Sequence, residues 1–219
     1  MLVRLQGADK IPAPEDLFQR ATPEPMTDFY QQNAKTYFAQ TAWVDPEAFL
    51  RPFLKHLPAP ARVLVVGCGS GRDLVWLKAH GYSAIGLERS PALAELARAH
   101  AGCEVIEADF ETWDFGLMPV DGMLLVGALV HVQYEMFEEM VTRLTAGLIS
   151  SGRMLISLKE GYGVSRGADG RKFFLWRDEK LRKHFEYMGL RVLHFERSTS
   201  AVRADDIWLT YVLEKGSRG

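Results

Sequence analysis

The apolar run Val63-Leu-Val-Val66 leads directly into Gly67-Cys-Gly-Ser-Gly71, and the next apolar run ends on a carboxylate, Glu88. Four consecutive apolar residues, three of them β-branched, suit a strand in a sheet covered on both faces. The glycines let the chain reverse tightly, bring backbone N–H groups against a ligand and start a helix close to the sheet. Glu88 follows Gly67 by about twenty positions, where a doubly wound half-domain places the acid that accepts hydrogen bonds from a ribose diol. The series strand, glycine turn, helix, strand, acid points to a nucleotide-containing ligand.

The spacing narrows the choice. A dinucleotide fingerprint wants its third glycine where Arg72 stands, and a phosphate-binding P-loop wants a Gly-Lys-Ser/Thr that does not follow. Downstream, the pattern predicts a helix over 71–80 stopped by Gly81, a strand over 82–87, and a helix to about 101 with Ser90 as N-cap and Pro91 at its first position. Strands are expected at 104–107, 122–126 and 153–158, with a long helix over 135–148. A helix through Leu181, Phe185 and Met188 ends at Gly189, and two strand-like runs, 190–195 and 207–213, follow without a helix between them. Alternation implies a parallel sheet, and the last two runs imply an antiparallel hairpin.

Upstream of the alternating region, residues 1–25 carry four prolines and no sustained periodicity, which predicts an irregular leader. Tyr30, Ala34, Tyr37 and Phe38 then share one helical face, and a second helix is expected with Asp45 as N-cap, Pro46 in its first turn and a kink or break at Pro52. With 219 residues, 47% hydrophobic and 25% charged, the chain is large enough for one sizeable core, and one domain over 26–219 is the expectation. A net charge of -2 offers no basic footprint for nucleic acid. Two cysteines without metal-ligand spacing fit a reducing, cytoplasmic setting, and no run reaches the ~18 apolar residues of a membrane span.

The segment VLVVGCGSGRD at 63–73, taken with the downstream order of elements, resembles the first motif of the class I S-adenosylmethionine-dependent methyltransferases. The resemblance covers roughly 30–215. It implies a Rossmann-like, doubly wound α/β fold: a mostly parallel seven-stranded sheet with an antiparallel last strand, helices on both faces and a helical lid over about 26–58. It also implies S-adenosylmethionine as cofactor, with Gly67, Cys68 and Gly69 against its methionine part and ribose, and Glu88 on the ribose hydroxyls. Arg89 lies over the adenine or is solvated. Glu107-Ala-Asp109-Phe110 is similar to the segment whose acid accepts the adenine amino group while the next residue packs on the ring; the other reading of Asp109 and Phe110 is a helix cap and a core ring. Val126-Gly127-Ala-Leu-Val-His131 resembles the segment beside the reacting centre, where His131 has three roles open to it: general base, orienting donor or buried structural histidine.

Tyr37 lies in a tyrosine-rich helix similar to one that closes over the cofactor in small-molecule methyltransferases, and is a candidate for the catalytic site with His131. The glycine-rich stretch 159–176 reads as a lid, with Arg166, Arg171 and Lys172 to meet an anionic substrate and Phe173, Phe174 and Trp176 to wall a pocket; the competing reading is a solvated charge cluster. The expected reaction is methyl transfer by in-line attack of N, O or S in a small-molecule acceptor, with no metal, no nucleic acid and no membrane; a homodimer is one option for the assembly. One departure stands out: the family carries Asp or Glu two positions before the first glycine, and this chain has Val65. The rival readings are a cofactor-binding module without catalysis, which predicts no acceptor-sized cavity, and an NAD-dependent oxidoreductase.

Overall fold

The computed structural model describes residues 27–203 and 205–216; the leader expected over 1–25 lies outside the described residues. Strand β1 (Arg62–Val66) is apolar and buried from Val63 onward because both its faces are covered there. Leu64 and Val66 join one core cluster, and Val63 and Val65 join the other, as the two-residue period of a strand requires. After β1 come α4 (Arg72–Ala79), β2 (Ser83–Glu88), α5 (Pro91–Ala101), β3 (Val105–Glu107), β4 (Val120–Val126), α6 (Tyr134–Ala146) and β5 (Leu148–Lys159). Before β1 lie α1 (Thr27–Gln32), α2 (Ala34–Thr41) and α3 (Glu47–Leu54). A ribbon, β6 (Val164–Arg166) and β7 (Lys172–Phe174), precedes α7 (Asp178–Tyr187), β8 (Leu190–Thr199) and β9 (Ile207–Lys215).

The main sheet has the order β3-β2-β1-β4-β5-β9-β8. β1 pairs in parallel with both β2 and β4, so the direction of winding reverses between β1 and β4. That reversal opens a crevice beyond their carboxyl ends, the place where open α/β sheets bind ligands. β9 inserts antiparallel between β5 and β8, which is the expected closing hairpin. One face of the sheet packs α6 and α7 through Phe137, Val141, Leu144, Leu181 and Phe185. The other packs α3, α4 and α5 through Leu50, Phe53, Leu74, Leu77, Ala94 and Ala97. Each fully buried leucine, valine or phenylalanine among these contributes about 1.5–3 kcal/mol by its removal from water.

Several local expectations are corrected. The helical face through Tyr30 and Tyr37 is divided into α1 and α2 at Asn33, whose side-chain amide donates to the Phe29 carbonyl, competing with the backbone for it. α3 starts at Glu47, with Pro46 rather than Asp45 at the boundary, although Asp45 Oδ1 still accepts the Glu47 N–H at 2.9 Å. Pro52 neither ends nor divides α3, although it has no N–H to donate to the carbonyl four residues back. β5 begins at Leu148 rather than 153: Leu148 pairs with Val120 and Arg153 with Gly122, so residues 149–152 form a bulge that hides the strand's start from any simple periodicity. The stretch 159–176 is a ribbon rather than a glycine loop, and it is pinned at its base where Trp176 N–H donates to the Lys159 carbonyl and Gly161 N–H to the Trp176 carbonyl, both at 2.9 Å.

Candidate active site

The glycine turn holds three residues in the left-handed region, Gly67, Gly69 and Gly71, with φ of +63°, +54° and +77°. Side chains are excluded there for a second reason: a Cβ at Gly67 would lie 3.1 Å from Ala128 Cβ, and one at Gly69 would lie 3.2 Å from Tyr37 Cε1. The turn is therefore a cradle that only bare backbone can line. Cys68 packs its sulfur over Gly86, where a Cβ would come within 2.8 Å of it, and burial pushes the thiol well above its ordinary range, which removes it as a nucleophile. Arg72 fills the third-glycine position of a dinucleotide turn and is directed at Asp73, 2.7 Å from Nε to Oδ1, with Phe49 beneath its guanidinium. That arrangement, with the antiparallel β9, gives no support to the NAD reading.

Glu88 ends β2 and is 7% exposed. Its Oε2 accepts the Gly69 N–H and its Oε1 the Ser90 N–H, each at 2.9 Å, so one carboxylate ties the glycine turn to the start of α5. Burial raises its pKa, and the backbone donors of Ser90, Gly69 and Arg89 oppose that rise. Ser90 caps α5 as expected, and Gln31 of α1 docks there, its Oε1 accepting from Ser90 Oγ at 2.8 Å and from Ala92 N at 3.1 Å. Arg89 is not simply solvated: it pairs with Asp109 at 3.3 Å and with Glu111 at 3.9 Å. Asp109 Oδ1 also accepts the Glu111 N–H, a turn-capping role, and Phe110 is buried in the core on the α6 side.

A cavity of about 340 Å³ runs from the glycine turn across the ends of β1, β4 and β5. Its wall includes Gly67, Cys68, Gly69, Gly127, Tyr30, Tyr37, Arg171 and Phe173 of the residues singled out by sequence. Glu88, Arg89, Asp109, Phe110 and His131 are outside that wall, although Glu88 is joined to it through Gly69. Arg166 is exposed on β6 and is not part of that wall. Arg171 is the opposite case, a charge that is not merely solvated. Its guanidinium lies 4.2 Å from the Phe29 ring centroid and pairs with Asp169 at 2.7 Å.

Tyr37 covers Gly69, and burial pushes its phenol pKa strongly upward, away from any role as a base near neutrality. The tyrosine that reaches His131 is Tyr30: its hydroxyl stands 3.0 Å from His131 Nε2, while His131 Nδ1 stands 2.5 Å from the Lys172 carbonyl. A carbonyl only accepts, so Nδ1 carries the proton and Nε2 is the acceptor. Burial brings the His131 pKa down to about 4, against the favourable Lys172 carbonyl bond, and the ring is neutral at physiological pH.

The far end of the cavity was not singled out from sequence. Ser157 pairs across the sheet with Thr210, and Lys159 with Trp208, and all four line the wall. Ser157 Oγ accepts the Gly127 N–H at 2.9 Å, and Trp208 lies against Gly127, where a Cβ would be 3.2 Å from its ring. Lys159 is buried, pairs with Asp206 at 2.6 Å, and holds its ammonium 4.2 Å from the Phe173 centroid. A buried charge needs such a partner. The available signal was the alternation of Ser157 and Lys159 with apolar residues in an otherwise buried strand. Val65 is buried among apolar side chains, whereas Asp73 supplies a carboxylate to the cavity wall one turn later. Among the described residues no group of three or more His, Cys, Asp or Glu side chains is gathered as for a metal ion, and no helix is long and apolar enough to cross a membrane.

Residues 63–152 match a family model described as a methyltransferase domain. No curated protein sequence matches. Among solved structures, the chain is similar to the 1,6-didemethyltoxoflavin-N1-methyltransferase of Burkholderia thailandensis, whose structure holds 1,6-didemethyltoxoflavin and S-adenosylhomocysteine: TM-score 0.69, 21% identity, 96% of this chain and 94% of that one. A SAM-dependent methyltransferase from Methanosarcina mazei aligns with TM-score 0.68, 13% identity, 80% of this chain and 99% of that one. The [4+2]-cyclase SpnF also aligns, with TM-score 0.62, 15% identity, 78% of this chain and 80% of that one. At these identities the likeness is one of fold.

Proposed function

We propose, from the methyltransferase-domain match over 63–152 and the likeness of fold to S-adenosylmethionine-dependent methyltransferases, that the chain methylates a nitrogen, oxygen or sulfur atom of a small molecule. The observation that carries this reading is the extent of the cavity: it continues from the glycine cradle to Lys159, Asp206 and Trp208, at a size within the ordinary range of small-ligand sites. A binding module without catalysis needs no cavity that extends past the glycine turn. The net charge of -2 favours a small molecule over a nucleic acid.

The residues present fit the cofactor, since Gly67, Cys68 and Gly69 line the cavity and the buried Glu88 carboxylate stands behind them, bonded to the Gly69 N–H. When bound, S-adenosylmethionine supplies a sulfonium methyl group, a carbon already activated toward a nucleophile. Gly67 and Gly69 offer backbone to the ligand, Glu88 accepts from the ribose hydroxyls, and Asp109 with Phe110 serves the adenine side. Asp73, in the cavity wall, would serve the ammonium group in place of the acid missing at Val65. Tyr30 and Tyr37 close the cavity and exclude water, which leaves positioning as the main source of rate. Arg171, Phe173, Lys159 and Trp208 receive the acceptor.

Calorimetric titration with S-adenosylmethionine, S-adenosylhomocysteine and NAD, on wild type and Glu88→Ala, tests this. Micromolar binding of the adenosyl ligands that is lost in the variant, with no NAD binding, is expected. Absence of adenosyl-ligand binding by the folded wild type would refute it.

A further inference from the structure

Tyr30, His131 and Arg171 come from three separate elements: α1, the turn after β4 and the tip of the β6–β7 ribbon. Their hydrogen bonds have one consistent direction. Arg171 Nη1 donates to the Tyr30 oxygen at 3.1 Å, and Tyr30 O–H donates to His131 Nε2 at 3.0 Å. His131 Nδ1–H in turn donates to the Lys172 carbonyl at 2.5 Å. The Tyr30 oxygen has its proton and one lone pair engaged, so a second lone pair stays open. Tyr30 is in the cavity wall while His131 stands behind it, so the open lone pair belongs to the only member of the Tyr30–His131 couple that lines the cavity.

We propose that Tyr30 takes the proton of the methyl acceptor while passing its own to His131, and that the acceptor is therefore a nitrogen or oxygen nucleophile that enters the site still protonated. The proposal rests on the methyl-transfer reading above. In the step it describes, the acceptor's lone pair forms the new bond to the methyl carbon, and the electron pair of the broken carbon–sulfur bond stays on sulfur. The acceptor atom then carries a positive charge and its proton moves to the Tyr30 oxygen, as the Tyr30 proton moves to His131 Nε2. Imidazole becomes imidazolium, and the proton is returned to solvent after product leaves. Tyr30 is the catalytic residue in this scheme; His131 and Arg171 act through it.

The electrostatics agree with a base of this kind. His131 is faced by Arg171, Arg89 and Lys159, which with burial oppose the imidazolium, and by the Lys172 carbonyl, which favours it. Such an imidazole is too weak to deprotonate a resting N–H or O–H group, and strong enough to take a proton from an oxygen, or from an electron-poor ring nitrogen, that methylation has just made cationic. Tyr30 is faced by Arg171, Glu88 and Asp169; Arg171 opposes the upward push of burial on the phenol and stabilises the oxygen as it exchanges protons. Because Tyr30 is on α1, the relay exists only while α1 is docked on α5 through Gln31.

The test is imidazole ¹⁵N NMR of wild type and Tyr30→Phe, each saturated with S-adenosylhomocysteine, with pH–rate profiles using tritiated methyl donor and a mixture of phenols and N–H heterocycles. The Nδ1–H tautomer is expected, with the His131 Nε2 resonance shifting in Tyr30→Phe. Wild-type turnover should be flat between about pH 6 and 9, with Tyr30→Phe about 100-fold slower near pH 6 and recovering tenfold per pH unit as solvent removes the proton instead. A protonated Nε2 in wild type, an unmoved resonance in the variant, or parallel profiles would each overturn the relay alone. Failure of wild type to bind S-adenosylhomocysteine would overturn the methyl-transfer reading and the relay with it.

Discussion

Replacing Glu88 with glutamine keeps shape and removes one of two acceptor oxygens. In the wild type the two oxygens serve two backbone donors, Gly69 N–H and Ser90 N–H, at 2.9 Å each in a site 7% exposed. An amide can face only one of them with its oxygen, so its NH₂ group confronts the other donor, and a buried donor without a partner costs about 1–3 kcal/mol. Relief of the buried charge, the cause of the raised Glu88 pKa, offsets part of this and places the net loss near the lower end. At about 2–4 °C per kcal/mol for a chain of this size, the thermal midpoint should drop by a few degrees. Binding should suffer more. One ribose hydroxyl loses an ionised acceptor, worth about 1.5–3 kcal/mol, which corresponds to about 10- to 150-fold in the dissociation constant of S-adenosylhomocysteine. Calorimetry beside a thermal melt reads both. Binding by Glu88→Gln within about threefold of wild type would show that Glu88 only fastens the turn to α5, and would refute its assignment to the ribose.

Titration of the same carboxylate gives a second expectation. Because its pKa is raised, wild-type affinity for S-adenosylhomocysteine should fall with acidification above the ordinary glutamate range, and Glu88→Gln should lack that limb. Its stability contribution has the opposite sense, present below the ordinary glutamate value and lost as pH rises through the raised one. Gly71→Ala puts a Cβ 3.0 Å from the Ala97 carbonyl oxygen at a φ of +77°, and the left-handed strain of about 1–2 kcal/mol should lower the melting midpoint by several degrees; a change too small to resolve would contradict the packing of α5 on the turn. Ser157→Ala leaves the Gly127 N–H without its acceptor and should cost about 1–3 kcal/mol in urea unfolding. A double-mutant cycle of Lys159→Met with Asp206→Asn should give a coupling of about 1 kcal/mol, and zero coupling would mean that the pair does not organise the far end of the cavity.

The order and type of most elements could be read from the chain because each is specified locally. β1 carries the continuous apolar run Val63 to Val66, Ser90 and Pro91 open α5 with side chain and ring, and Gly67 and Gly69 declare backbone that no other residue can supply. Glu88 was legible for the same reason, since its position follows from the lengths of one turn, one helix and one strand. The bulge at 149–152 was not, because two residue registers share one strand there and the apolar period is broken. Nor was the ribbon, whose short strands carry no alternation long enough to outweigh their glycines.

What the tertiary structure alone decided is which distant residues meet. That Tyr30 rather than Tyr37 bonds His131 depends on how α1 docks, and both tyrosines share the same helical face in sequence. Arg171 and Arg166 are alike as residues, yet the antiparallel ribbon brings one to the cavity wall and leaves the other in water. Lys159 and Asp206 are paired because β9 inserts beside β5 and carries the loop before it to the carboxyl end of the sheet. Propensity and period act over a few residues, and so they fix the elements and the glycine cradle. The acceptor end of the site is made by contacts between segments far apart in the chain, which only the packed fold can bring together.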